Sequence, residues 1–354
     1  MFDAAMTRAA ILDQCARYPT LTVQDLLKFL HQSTFGCGHL VESTDGGLDA
    51  LNAEAAACPP RSGAEPLDGD FCRVHLGTLA QGLAPETLWR AVVLSSQAPC
   101  GTGEELESRL DVLLSLSQEG ALPCSAQEVG GAVSPWRTDG FPMQRHSEVF
   151  RAAYAPAYRV VHRRFGDLLP LLTAIDRKMA EGEPAIVALE GGSAAGKTTA
   201  AEVLRTLYGC PVLHMDDFFL RPAQRTPERL SQPGGNVDRE RFLEEVLRPL
   251  RAGKSAAYRR YDCHTQTLLP PVEIPPAPLI LVEGAYSCHG DLREYYDLTA
   301  FLRIPPDLQR RRIQVRNTPE LQKRFFEEWI PMEQRYFEYF SIPAHCDLIL
   351  EVDT

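Results

Sequence analysis

The sequence predicts an α/β C-terminal half, a P-loop-type parallel sheet flanked by helices, preceded by a mostly α-helical N-terminal half. Three observations carry this expectation. A continuous apolar run of strand length, Ala185-Ile186-Val187-Ala188-Leu189, stands directly before a glycine-rich turn. After the turn, Ala200, Val203, Leu204 and Leu207 recur at i, i+3, i+4 and i+7, which is one face of a helix. Short apolar runs at 212–215, 279–282, 299–304 and 348–352 then alternate with helical stretches, as a helix-covered parallel sheet requires. A length of 354 residues suits two cores rather than one. The expected division is a domain of unassigned role over residues 1–165 and a second over 166–354, its core starting near 184.

Within the first half, Leu26, Leu27, Phe29 and Leu30 form a helix-like cluster that ends near Gly36 and Gly38. Pro59, Pro60, Gly63, Pro66 and Gly69 mark a loop, and helices are expected around 85–97 and 103–117. The stretch from Gly130 to Pro142 reads as a break, followed by helices over 147–164 and 167–181. Phe35-Gly36-Cys37-Gly38-His39, with His31 and Glu42 nearby, matches no zinc spacing and reads as a tight loop packed by a core histidine. His146-Ser147-Glu148, with Tyr154, Tyr158 and Arg159 beyond, reads as a helix start rather than as nucleophile and base.

With 44% hydrophobic and 23% charged residues the composition is that of a folded globular chain. The formal net charge of -11 argues against a broad nucleic-acid surface and against anionic membranes, so any anion must be held locally. Ten cysteines without a C-x-x-C pair read as reduced thiols. No apolar run approaches the roughly 18–20 residues of a membrane span, and residues 1–14 carry Asp3 and Asp13 instead of an apolar leader, which predicts a cytoplasmic protein.

The glycine-rich turn is Gly191-Gly192-Ser193-Ala194-Ala195-Gly196-Lys197-Thr198, a full G-x-x-x-x-G-K-T match between a strand and a helix, with Thr199 following. Glycines at 191, 192 and 196 let successive N–H groups turn inward onto phosphate oxygens at a helix N-terminus. Lys197 would reach the β and γ phosphates of ATP, and the Thr198 hydroxyl would face Mg2+. Glu283 ends the Leu279–Val282 strand and places a carboxylate at the carboxyl edge of the sheet, for magnesium or as a cap of the next helix.

A phosphate loop does not by itself separate kinases from switches, so the residues on the acceptor side decide. Val212-Leu213-His214-Met215 leads into Asp216-Asp217-Phe218-Phe219, which puts two carboxylates at a strand end; one could take a hydroxyl proton. Asn236-Val237-Asp238, Tyr261-Asp262-Cys263-His264 and Glu283-Gly284 come next, in that order. This order resembles the uridine kinase and phosphoribulokinase family over about residues 184–354. The resemblance implies a small-molecule kinase using ATP and Mg2+, with Asp216 as catalytic base, Asp238 on the sugar hydroxyls, and Tyr261 and His264 lining the acceptor pocket. The chain departs from the uridine kinase pattern in having one residue between Asp262 and His264, and Gln266 where that pattern has arginine. Asp217 remains open between a metal ligand and a turn cap, Asp238 between a sugar contact and a helix cap, and Tyr261 and His264 between pocket and loop packing.

After Ile304-Pro305-Pro306 comes a basic stretch, residues 307–316, in an acidic protein. The resemblance implies a lid whose arginines, Arg312 and Arg316, stabilise the transferring phosphoryl group; a solvated face explains part of this stretch equally well. Trp329, Tyr336, Phe337 and Phe340 read as core. The expected partner is a small acceptor, nucleoside-like first, with another sugar, hydroxy acid or vitamin precursor as alternatives. A P-loop switch acting on a partner protein is the competing class.

Overall fold

The computed structural model describes residues 2–37 and 46–353, so the expectation for the Gly38-His39 and Glu42 positions lies outside the described residues. The chain divides into two compact units, residues 1–169 and 170–354.

Among the described residues the first unit is mainly helical, with long helices at Ala4–Arg17, Val23–Phe35, Pro85–Ser96, Gly103–Gln118 and Ala126–Thr138. Their starts reflect capping chemistry: Thr102 with Glu105 and Ser125 with Glu128 form reciprocal capping boxes. Leu26, Leu30, Leu106, Leu110 and Leu113 are fully buried and fuse these helices into one core. Against the helices lies an antiparallel sheet, β1 (Ala64–Pro66), β2 (Phe71–His75) and β3 (Tyr158–His162), in the order β1-β2-β3.

That sheet corrects two expectations. The helix expected over 147–164 is broken: it runs over Glu148–Tyr154, Ala155, at φ 40°, stops it, Tyr158–His162 pairs with β2, Cys72 opposite Val161, and a short helix, Arg163–Asp167, resumes after the strand. The break expected from Gly130 to Pro142 is instead the helix Ala126–Thr138, which accommodates Gly130, Gly131 and Pro135 because Val129, Val133 and Trp136 bury one face. Packing outweighs local propensity there.

In the second unit β4 (Ala185–Gly191) and β5 (Val212–His214) are followed by the hairpin β6 (Ala256–Asp262) and β7 (Thr267–Ile274), then β8 (Leu279–Glu283), β9 (Leu298–Arg303) and β10 (Leu348–Glu351). Five of them form one parallel sheet in the order β10-β9-β4-β8-β5. β4 is central and wholly buried, which explains its unbroken apolar run. The chain leaves β4 for an edge strand on one side and later fills the other side, so the loop after β4 lies at the carboxyl edge where open α/β sheets bind ligands. The hairpin β6–β7, hidden by Pro270 and Pro271 in its second strand, was not expected. Two π turns, Leu243–Leu247 and Phe325–Trp329, lie just before Pro249 and Pro331, whose missing N–H removes the ordinary helical bond. No helix among the described residues is long and apolar enough to cross a membrane.

Candidate active site

The loop after β4 turns through left-handed backbone at Gly191 (φ 147°), Ala194 (φ 61°) and Gly196 (φ 95°). A Cβ at Gly191 would stand 2.6 Å from the Leu302 carbonyl oxygen in β9, so glycine is required by space as well as by φ. Gly192 does not adopt a positive φ; its limit is the Gln309 side chain, 3.0 Å from where a Cβ would be. Lys197 begins the helix Lys197–Tyr208 and folds back over the loop, donating to the carbonyls of Gly191 (2.8 Å) and Gly192 (2.9 Å).

Thr198, one residue on, turns its hydroxyl to Glu283 Oε1 at the end of β8 (3.2 Å). The same oxygen meets His214 Nδ1 at the end of β5 (2.6 Å), and this bond raises the imidazole pKa. Asp216 follows in the 3₁₀ turn Met215–Phe218. Burial raises the Asp216 pKa; Lys197 opposes the rise and Glu283 adds to it. Asp217 is also raised by burial, with its Oδ2 accepting the Tyr258 hydroxyl at 3.1 Å and its carbonyl accepting Arg241 Nη2 at 3.0 Å. Two strand ends and the phosphate loop therefore bring Lys197, Thr198, His214, Asp216 and Glu283 together. A hydroxyl and carboxylate oxygens beside a phosphate loop suit a hard cation such as magnesium. Among the described residues no three His, Cys, Asp or Glu form a metal cage, and magnesium, held largely by phosphates and water, does not require one.

The other expected residues differ in how they meet this site. Asp238 is buried and caps the helix at Arg239–Phe242, accepting from Arg241 N (3.3 Å) and from Gln224 Nε2 (2.8 Å). Tyr261 is buried, and its hydroxyl has no hydrogen-bond partner among the described residues. His264 is exposed in the β6–β7 turn, its backbone N–H donated to Asp262 Oδ1. In the helix Pro306–Arg316, Arg312 reaches the loop, Nη1 donating to the Ala194 carbonyl at 3.0 Å, whereas Arg316 is exposed.

Two carboxylates not foreseen in the sequence hold the loop. Glu190, fully buried at the end of β4, accepts from the N–H groups of Gly191 (3.0 Å), Tyr286 (3.1 Å) and Cys288 (2.9 Å) and from the Tyr336 hydroxyl (3.0 Å). It thereby ties the phosphate loop to the segment after Glu283. Glu333, from the helix Ile330–Tyr339, accepts both Ser193 N (2.9 Å) and Ser193 Oγ (2.5 Å). Glu190 could have been noticed as a charge closing an apolar strand; Glu333 lies 140 residues from its partner and leaves no local signal.

Among solved structures, the chain is similar to a "possible uridine kinase" from Bacillus stearothermophilus, with 22% identity over 51% of this chain and 99% of that one, at TM-score 0.38. It is also similar to the D-glycerate 3-kinase of Cryptococcus neoformans var. grubii, with 15% identity over 48% of this chain and 84% of that one, at TM-score 0.32. Residues 186–320, which contain the phosphate loop, Asp216, Asp238, Tyr261, His264, Glu283, Arg312 and Arg316, match the phosphoribulokinase / uridine kinase family.

Proposed function

We propose that the second unit is an ATP-dependent kinase that phosphorylates a hydroxyl of a nucleoside-like small molecule. The observation that carries this reading is Asp216: a solvent-accessible carboxylate whose proton affinity is raised by partial desolvation, in the field of Lys197 and Glu283, one element after the phosphate loop, where a switch needs no such group. In the proposed step Asp216 takes the acceptor hydroxyl proton as that oxygen attacks the γ-phosphorus of ATP. The new O–P bond forms as the bond to the β–γ bridging oxygen breaks, and ADP leaves. Lys197 exchanges its two carbonyl partners for β and γ phosphate oxygens, and Arg312, already at the loop, meets the charge that spreads over the γ oxygens. Thr198 and Glu283 would hold magnesium, which supplies charge neutralisation at the phosphates.

For the acceptor, the unpartnered buried Tyr261 hydroxyl supports a pocket in which a ligand completes the bonding, since buried hydroxyls are nearly always paired. Asp238, already capping and bonded to Gln224, keeps lone pairs for one more donor such as a sugar hydroxyl. The test is a phosphoryl-transfer screen of the whole chain with ATP-Mg over nucleosides, other sugars, hydroxy acids and vitamin precursors. ADP formation that depends on an acceptor is the expected result. Slow hydrolysis indifferent to every acceptor would favour the nucleotide switch instead.

A further inference from the structure

The first unit contains a buried network of charges that the kinase reading does not use. Asp25, on the helix Val23–Phe35, accepts from Thr22 N and Oγ, from Ser147 N and Oγ, and from His146 Nδ1 at 2.9 Å. His146 Nε2 then receives the Tyr158 hydroxyl of β3 at 2.6 Å. The guanidinium of Arg73, in β2, lies 4.9 Å over the Tyr158 ring, donating to Gln32 and to Glu65 Oε1 (2.9 Å). Glu65 also accepts from Tyr18 (2.5 Å), Arg61 (3.0 Å) and His75 (3.3 Å). Burial would raise the Glu65 pKa, but His75, Arg73 and Tyr18 hold it down at about 2. Burying this many ionisable groups seldom adds stability over apolar packing, which makes such a cluster a candidate site.

The network opens onto a cavity lined by Tyr18, Arg61, Arg73, His75, Tyr154 and Tyr158. The hollow measures about 340 Å³ including space open to solvent, and about 20 Å³ of it admits the centre of a water-sized sphere, so a ligand would place a small polar group at its mouth with the rest of the molecule outside. The rings of Tyr18, Phe150 and Tyr154 pack on one another at 4.8–5.0 Å and give the hollow an aromatic wall.

Hydrogen-bond capacity selects the ligand. Asp25 is saturated by donors, and the one acceptor site left on Glu65, at Oε1, lies against the Arg73 guanidinium, which repels a cation. The unspent donors belong to Arg61 at the mouth, which uses one guanidinium nitrogen on Glu65 and keeps its side chain 42% exposed. Two guanidinium charges, Arg61 and Arg73, face one carboxylate, Glu65, across the cavity. Arg73 also acts, after burial, to lower the proton affinity of Lys28, to a pKa of about 8, and burial and Arg73 together outweigh Asp25 at His146. The local potential is positive.

We propose that this cavity is a second binding site, separate from the phosphate loop, for a small oxyanion, a carboxylate or phosphate group held by Arg61 with its carbon skeleton against the aromatic wall. The test is calorimetric titration of the full chain, and of Lys197→Ala and Arg61→Gln variants, with inorganic phosphate and with benzoate. Lys197→Ala takes the side-chain charge from the phosphate loop and so weakens it as a competing anion site. One-to-one binding of either probe should survive Lys197→Ala and weaken about 10- to 100-fold in Arg61→Gln, the worth of one charge-assisted hydrogen bond. A response to benzoate as strong as to phosphate points to an organic acid; phosphate alone points to a phosphate group. The proposal is overturned if neither probe binds, if binding disappears with Lys197, or if Arg61→Gln leaves it unchanged. Because Arg73, His75 and Tyr18 also compensate Glu65, and glutamine can still donate to it, Arg61→Gln is expected to lower the thermal midpoint only slightly while the fold is kept.

Discussion

Asp216→Asn keeps the size of the side chain and removes the proton acceptor, which makes it the sharpest probe of the proposed kinase chemistry. A positioned general base contributes about 10²- to 10⁴-fold, so kcat should fall by that order, about 3–5 kcal/mol in the barrier. Affinity for ATP should change little, because Asp216 is proposed to meet the acceptor. The neighbouring carboxylate offers an internal control: Asp217 is engaged by the Tyr258 hydroxyl, and Asp217→Asn should cost less than about tenfold, the value of one ordinary hydrogen bond. The pH profile adds a second readout. Burial, reinforced by Glu283 and resisted by Lys197, raises the Asp216 pKa, and the base acts only when ionised. The acid limb of kcat/KM should therefore lie above the usual carboxylate range near 4, with activity lost as pH falls through it. In Asp216→Asn that limb should disappear. The assays are steady-state kinetics with the acceptor found by screening, and ATP titration of both variants. Equal, small effects at Asp216 and Asp217 would refute the base assignment. A large loss of ATP-Mg binding in Asp216→Asn would make the residue part of the metal site.

Lys197→Ala should lower turnover of any acceptor by at least about 10²- to 10³-fold while circular dichroism stays unchanged, since one positioned charge at the transferring group is lost; near-parental turnover would sink the phosphate-loop reading. Arg312→Ala should reduce kcat more than Arg316→Ala, because only Arg312 already reaches the loop, and the reverse order in kinetics would reassign the lid charge. Gly191→Ala should weaken ATP binding and lower the thermal midpoint, at a backbone cost of about 1–3 kcal/mol, because the Leu302 carbonyl leaves no space for a Cβ at φ 147°. Arg73→Met should destabilise the first unit by about 3 kcal/mol in urea unfolding, through the buried carboxylate it leaves behind; a change under about 1 kcal/mol would mean Arg61, His75 and Tyr18 suffice for Glu65.

The phosphate loop was readable because all its chemistry is contiguous: one strand, one turn and one helix start, with the lysine and threonine fixed by the same backbone. Asp216 and Glu283 were readable for a related reason, each closing a short apolar run whose end must face the carboxyl edge of a parallel sheet. The hairpin β6–β7 was not, since its prolines mask a strand pattern that antiparallel pairing supplies from the partner. Nor was β3, where Val160 and Val161 suit either a helix face or a strand until β2 is beside them.

Local order along this chain, the β4 strand, the loop and the Lys197–Tyr208 helix, was determined by the sequence itself, because apolar period and glycine placement act over a few residues. Which side chains meet was decided only by tertiary structure. His214 reaches Glu283 across 69 residues, Asp25 reaches His146 across 121 and Ser193 reaches Glu333 across 140. These are polar pairs whose partners carry no periodic signal, and they form because strand register and helix packing, driven by the apolar positions, bring buried donors and acceptors to points where each must find the other.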